Sequence, residues 1–156
     1  KAIRRQRQMC IRDRFVAIYE PSSVKEPGCI AEVSFPEVKS KTENSATSIC
    51  VVQKDGRIDY ILSSDNPTDI CTSGKMSAQA TYALWGNKKG DDCTFFLGHG
   101  TLLNTPNVVI KTETPAEVLL EFKKGAWYYT ASADCTVSIK KKTYKLKANA
   151  VETKLK

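Results

Sequence analysis

The chain has 156 residues and a net charge of +7, and its length suits a single domain that buries a sizeable core. Charged residues are mixed with apolar ones throughout, which excludes wholesale disorder. No apolar run approaches the ~18 residues that a membrane-spanning helix needs, so we expect no membrane span.

The positive charge is concentrated at the start of the chain. Residues 1–14 hold six basic residues and one acidic residue, whereas residues 15–156 hold 18 basic and 16 acidic residues, a net charge of +2. The body has no basic stripe with interleaved aromatic residues, so we expect no nucleic-acid partner. Residues 9–14 resemble translated sequencing-adapter read-through. We therefore expect residues 1–14 to be an artefact or a disordered basic lead, with a genuine basic arm as the alternative, and the domain to begin at Phe15.

The pattern after Phe15 predicts short β-strands separated by turns. Residues 15–21 and 30–35 indicate two strands that end at prolines. Residues 47–53 and 58–64 flank Asp55-Gly56, a strong signal for a hairpin turn, and we expect this hairpin to be central in the sheet.

The remaining chain repeats the same alternation of strands and turns. The predicted strands cover residues 77–85, 94–97, 101–103, 107–111, 116–122, 126–130, 135–139 and 143–146. We expect Gly98-His99-Gly100 to kink the chain. Residues 148–156 lack the alternation of apolar and polar residues, and we expect them to fray. About ten strands at this spacing predict an all-β fold, an antiparallel β-sandwich covering residues 15–147.

The six cysteines show no C-x-x-C pair, and the chain has a single histidine, His99. Zinc ligands are usually paired at short spacing, so we expect no metal site and no cofactor. The sequence does not decide whether disulfide bonds form. Cys50 lies in an apolar run and is best explained as a core residue.

Several segments resemble the C-terminal β region of heparinase II/III-like polysaccharide lyases. Residues 15–21 resemble one strand of that region, and Asp55-Gly56-Arg57-Ile58-Asp59-Tyr60 is similar to its D-G-x-x-D-Y/L strand. Leu97-Gly98-His99-Gly100-Thr101 resembles its L-x-x-G-T turn, and residues 125–130 resemble its terminal strand. The resemblance extends over residues 15–146.

The resemblance implies an exported enzyme, secreted or periplasmic, that cleaves an acidic polysaccharide by β-elimination. In that family an α-helical toroid carries most catalytic residues, usually tyrosine and histidine, and β-sheets follow it. This chain contains no such toroid. The resemblance therefore implies a non-catalytic β-sandwich that packs on an α-toroid of the same protein and walls its substrate cleft. The alternative is a free-standing carbohydrate-binding or adhesion module.

Three residues are candidates for binding the polysaccharide. The rings of Trp85 and Trp127 offer apolar faces on which a sugar can stack, although tryptophan in a sandwich more often serves packing. Histidine is the residue type whose side chain most readily exchanges a proton near neutral pH, and His99 lies between two glycines, although it is more simply a turn residue. We expect no catalytic residue in this chain, since His99 has no partner motif. An apolar surface patch would favour the lyase domain over the independent module.

Overall fold

A computed structural model describes residues 3–4, 16–18, 20, 28–88 and 92–155. Within this part of the chain the regular structure consists of strands, with no helix. The thirteen strands are β1 (Ile3–Arg4), β2 (Ala17–Ile18), β3 (Ile30–Ser34), β4 (Ala46–Gln53), β5 (Ile58–Ser64), β6 (Cys71–Ser73), β7 (Met76–Asn87), β8 (Cys93–Asn104), β9 (Val108–Lys123), β10 (Ala126–Ala131), β11 (Cys135–Ile139), β12 (Lys142–Leu146) and β13 (Asn149–Lys154). The all-β antiparallel prediction is confirmed.

Eleven of these strands form one antiparallel sheet, while β1 and β2 pair separately. The main path runs β12-β11-β9-β8-β7-β5-β4-β3, with β6 beside β7, β10 beside β9 and β13 beside β10. The ladder of hydrogen bonds is continuous through this sheet, so the division into two stacked sheets stays a prediction.

The three long strands β7, β8 and β9 have different neighbours at their two ends. We call one end the broad half, where residues 82–87, 93–97 and 118–123 join β3, β4, β5, β10 and β13. The other end is the narrow half, where residues 76–79, 102–104 and 108–112 join β6, β11 and β12. The two halves therefore share β7, β8 and β9 and differ in the strands that flank them.

Irregular pairing marks the passage between the halves. The register shifts between Gln79 and Ala80 on β7 and on both sides of Gly100 on β8. His99 has a φ of 48°, in the left-handed region, and the predicted kink is thereby found as a bulge. β9 passes through Pro115 as one strand, although the sequence predicted two strands here. Proline is tolerated because the register with β8 is interrupted between Lys111 and Ala116.

Alternation along the strands places one face of both halves in a common core. Buried side chains from the two halves belong to one cluster: Leu62, Ala83, Phe95, Leu97, Val118, Leu120, Tyr129 and Ala131 from the broad half, and Cys71, Met76, Ala78, Leu103, Val108, Ile110, Cys135, Val137, Ile139 and Leu146 from the narrow half. We call this the inner face. The residues between them along each strand form the outer face.

The predicted hairpins are confirmed, with local differences. Gly56 has a φ of 86° in the turn between β4 and β5, and the backbone N–H of Arg57 donates to the Asp55 carboxylate at 3.1 Å. Lys124 and Gly125 both have positive φ, as a two-residue type I′ turn requires. The β4–β5 hairpin, however, is not central: it lies towards the β3 edge, and β7, β8 and β9 occupy the middle of the sheet.

The C-terminal residues do not fray as predicted. Asn149–Lys154 forms β13, which pairs with β10, and the backbone N–H of Leu155 donates to the carbonyl of Trp127 at 2.9 Å. The pairing with β10 satisfies the backbone hydrogen-bonding groups of β13. The local sequence pattern does not reveal this distant partner. The predicted lead of residues 1–14 lies outside the described residues except for Ile3–Arg4, which pairs with Ala17–Ile18. The predicted strand at 15–21 is described at residues 16–18 and 20 only.

Candidate functional site

A row of apolar side chains crosses the outer face of the broad half. The cross-strand register places Ile49 opposite Ile61, Ile61 opposite Leu84, and Leu84 opposite Phe96. Phe96 is in turn opposite Leu119. All five side chains are half-buried. We call Ile49, Ile61, Leu84, Phe96 and Leu119 the apolar stripe.

Gly98 lies beside the apolar stripe, where the lack of a side chain leaves room for the Phe96 ring. A Cβ on Gly98 would lie 2.8 Å from the Phe96 ring, so the ring extends over the glycine backbone. Beyond Gly98 in the same row, Tyr82 is 55% exposed. The stripe therefore continues into a large exposed aromatic residue.

On the other side of the stripe a polar cluster lies against Gly86. Arg57 Nε donates to Asp59 Oδ1 at 2.8 Å, and Gln53 Nε2 donates to Asp59 Oδ2 at 2.9 Å. A Cβ on Gly86 would lie 2.3 Å from the Arg57 guanidinium, so only glycine leaves room for this pair to lie flat. The apolar stripe thus has a charged rim, as interaction surfaces commonly do.

Trp85 lies on the inner face rather than on an open binding surface. Its ring stacks on Tyr60, with 5.0 Å between the centroids and 23° between the planes. Both residues pack against the core cluster, and burial raises the pKa of the Tyr60 phenol. One face of the indole is therefore in contact with a cross-strand neighbour, and the predicted sugar-binding role of Trp85 stays a prediction.

Trp127 has a similar environment on β10. Its ring centroid lies 5.2 Å from that of Phe122 and 6.1 Å from that of Phe95. Trp127 also packs against the core cluster. Trp85 and Trp127 both belong to an aromatic layer at one end of the inner face, and the binding role predicted for Trp127 also stays a prediction.

His99 lies at the bulge of β8, in an exposed position. Ala80 and its backbone approach Gly100 so closely that a Cβ there would lie 2.3 Å from Ala80 Cβ. The position of His99 is therefore explained by the bulge, which needs a left-handed residue beside a close strand crossing. Three candidate residues predicted from sequence are not brought together into one site.

Other reactive groups do not assemble within the described part of the chain. No group of three or more His, Cys, Asp or Glu residues there could hold a metal ion. Five cysteines are free thiols, Cys29, Cys50, Cys71, Cys93 and Cys135. Burial raises the pKa of Cys135 to about 11, which leaves this thiol protonated and unreactive near neutral pH.

Sequence reasoning did not single out the apolar stripe, although a signal was present. Apolar residues follow one another without alternation at Ile61-Leu62, Ala83-Leu84-Trp85, Phe95-Phe96-Leu97 and Val118-Leu119-Leu120. Such runs are typical of strands that are covered on both faces. The sheet has its buried core on the inner face, and the runs add half-buried apolar side chains on the outer face.

Comparison with protein-family models, curated proteins and solved structures finds no match to this chain. The resemblance to heparinase II/III-like lyases accordingly stays a prediction. Among the described residues, no helix is long and apolar enough to cross a membrane.

Proposed function

We propose that this chain is a non-catalytic β domain that docks through its apolar stripe on another folded domain. The expected partner is the α-helical toroid of a heparinase II/III-like polysaccharide lyase within the same protein. The observation that supports the proposal is the row of five half-buried apolar side chains on five adjacent strands. An apolar surface patch is the feature that we expect of a docked domain rather than of an independent module.

The energetics favour a partner that covers this surface. Removing apolar area from water contributes about 25 cal/mol per Å². Interfaces between domains of one chain bury roughly 600–1,500 Å², which the face of a five-strand sheet can supply. The stripe is already ordered by cross-strand pairing, so docking costs little side-chain entropy.

In this proposal the toroid carries the catalytic acid and base, and the β domain forms one wall of the cleft. The substrate is an acidic polysaccharide, and the protein is exported to reach it. Trp85 and Trp127 then contribute to the aromatic layer of the core, while the outer face makes the contact between domains.

The proposal is tested by completing the coding sequence and expressing the full-length protein. We expect a helical region with Tyr and His motifs, and a β domain that resists release by limited proteolysis. Leu84→Gln with Phe96→Gln should make the β domain much easier to release. Leu102→Gln is a matched control, because Leu102 is a half-buried apolar residue on the outer face of the narrow half. A coding sequence without a helical domain would overturn the proposal and favour a free-standing carbohydrate-binding module.

The 156-residue chain permits a second test. The dye anilinonaphthalene sulfonate, which fluoresces on apolar surfaces, should bind the folded chain through the stripe. Leu84→Gln with Phe96→Gln should remove most of the fluorescence, and Leu102→Gln should preserve it. Equal fluorescence for all three proteins would contradict an exposed apolar interface.

A further inference from the structure

The outer face of the narrow half has a different chemistry from the apolar stripe. Lys111 on β9 lies opposite Thr136 on β11, and Thr136 lies opposite Lys145 on β12. Both lysines are exposed. Since neighbouring strands lie about 4.8 Å apart, the Cα atoms of Lys111 and Lys145 are separated by about 10 Å across this row.

The β11–β12 hairpin extends the positive charge along the strands. Residues 135–146 contain four lysines and no Asp or Glu. Lys140 and Lys141 form the turn, where both are exposed, and Lys140 has a φ of 56°. At the far end Lys147 pairs with Asp134 at 2.6 Å, and on β9 the exposed Glu113 follows Lys111 by two residues.

Hydroxyl groups lie between these lysines on the same face. Ser138 lies opposite Thr143, and the two hydroxyl oxygens are 3.0 Å apart. Together with Thr136 they form a polar surface of short side chains. We call Lys111, Thr136, Ser138, Lys140, Lys141, Thr143 and Lys145 the lysine face.

We propose that the lysine face binds a linear acidic polysaccharide, at a site separate from the apolar stripe. The Cα atoms of Lys111 and Lys145 lie about 10 Å apart, and from these positions each ammonium group can pair with a carboxylate of an extended chain. The hydroxyls between them can donate to and accept from sugar hydroxyls. The class of ligand rests on the proposed function, but the site does not include the apolar stripe, so domain docking can fail while binding at the lysine face stands.

Protection of a sheet edge does not account for the whole face. Lysines on an edge strand commonly prevent association with another sheet, and β12 is such a strand. Lys111, however, lies on β9, which is paired on both sides with β8 and β11. Its alignment with Lys145 across Thr136 therefore needs a different explanation. The outer-face residues of β9, β11 and β12 in the narrow half include no aromatic side chain on which a base could stack, which disfavours single-stranded nucleic acid as the ligand.

The test measures binding of fluorescent polygalacturonate to the 156-residue chain by anisotropy. Lys111→Gln with Lys145→Gln should weaken binding roughly tenfold at physiological salt. The slope of log affinity against log salt concentration should fall by about two, one for each lysine removed. Thr136→Val should weaken binding to the sugar chain without changing that slope.

The matched control is Lys124→Gln with Lys154→Gln, which has the same net charge as the double variant. Both control lysines are exposed and belong to the broad half. The control should bind polygalacturonate as the unchanged protein does, and all variants should have the same melting temperature. Equal weakening in the two double variants would show diffuse charge attraction and overturn the proposal.

Competing probes decide the class of ligand. Neutral dextran, duplex DNA and phosphatidylserine vesicles should each bind more weakly than polygalacturonate under the same conditions. No binding of polygalacturonate, or tighter binding of DNA or vesicles, would overturn the assignment to an acidic polysaccharide. Dextran binding as tight as that of polygalacturonate would contradict the role of the lysines.

Discussion

The two halves of this sheet share their long strands and differ on their outer faces. In the broad half, β7, β8 and β9 contribute Leu84, Phe96 and Leu119 to the apolar stripe. In the narrow half, the same β9 contributes Lys111 to the lysine face. Inner-face residues from both halves nevertheless belong to one buried cluster.

This comparison separates what the fold requires from what the surface can do. The core requires apolar side chains at alternate positions along the strands, and the strands of both halves have apolar residues at these positions. The outer face is free of that requirement, and the two proposed interfaces rest on its difference in character: an apolar stripe in the broad half and exposed lysines in the narrow half. The bulges at Gln79–Ala80 and Gly98–Gly100 mark the boundary between them.

The largest expected effect is the loss of a core side chain. Leu97 and Ile110 are fully buried, one in each half. Leu97→Ala and Ile110→Ala should each lower the free energy of unfolding by about 3 kcal/mol, because each leaves a cavity. Leu84→Ala on the apolar stripe should lower it by about 1 kcal/mol or less. Urea unfolding checks all three values, and a small effect in one half only would show that the halves do not share one core.

A smaller effect is expected at the boundary between the halves. In Gly100→Ala the new methyl group meets Ala80 Cβ at 2.3 Å and the Gln79 carbonyl oxygen at 2.6 Å. Backbone must move, so we expect a loss of about 2 kcal/mol. Gly86→Ala is the control: it displaces the mobile end of Arg57, and the cost should be under about 1 kcal/mol. Thermal melts compare the two variants, and equal losses would contradict a tight crossing at the bulge.

The smallest effect concerns the join between β12 and β13 in acid. Asp134 accepts hydrogen bonds from the Lys147 ammonium at 2.6 Å and the Ala148 backbone N–H at 2.9 Å. These bonds, that to Lys147 first, lower the pKa of the Asp134 carboxyl below its ordinary value of 3.8. Because the folded pKa is the lower one, the stabilisation is complete above the ordinary value and is lost as the pH falls through the folded value.

Amide hydrogen exchange measures this local effect. Exchange at Ala148, corrected for the intrinsic pH dependence, should become faster below the ordinary pKa of Asp134. In Asp134→Asn it should be fast throughout, with no such transition. A transition that survives in Asp134→Asn would assign it to another carboxyl, such as Asp69, whose pKa is lowered by Thr42.

Local sequence patterns predicted the strands and turns well where the information is local. Asp55-Gly56 and Lys124-Gly125 mark turns because glycine takes positive φ there. Residues 77–85 were correctly assigned to a strand despite their alanine content, since a turn and a second strand follow. β9 was predicted as two strands, residues 107–111 and 116–122, because the interrupted pairing with β8 that lets Pro115 lie within a strand depends on distant residues.

Contacts between distant residues could not be predicted in the same way. Lys111 and Lys145 are 34 positions apart, and only the register of β9, β11 and β12 brings them into one row. β13 depends equally on a distant partner, β10. Trp85 and Trp127 were chosen for ring chemistry, and the sequence alone does not show that their rings pack against the cross-strand neighbours Tyr60 and Phe122.

The most direct test of two separate outer faces is an amide NMR spectrum of the isotope-labelled chain, titrated with polygalacturonate. We expect the shifts to concentrate at residues 109–111 and 136–145, while the amides of the apolar stripe stay unmoved. Shifts concentrated at Trp85 and Trp127 would contradict this account and would show that the polysaccharide binds at the aromatic layer instead.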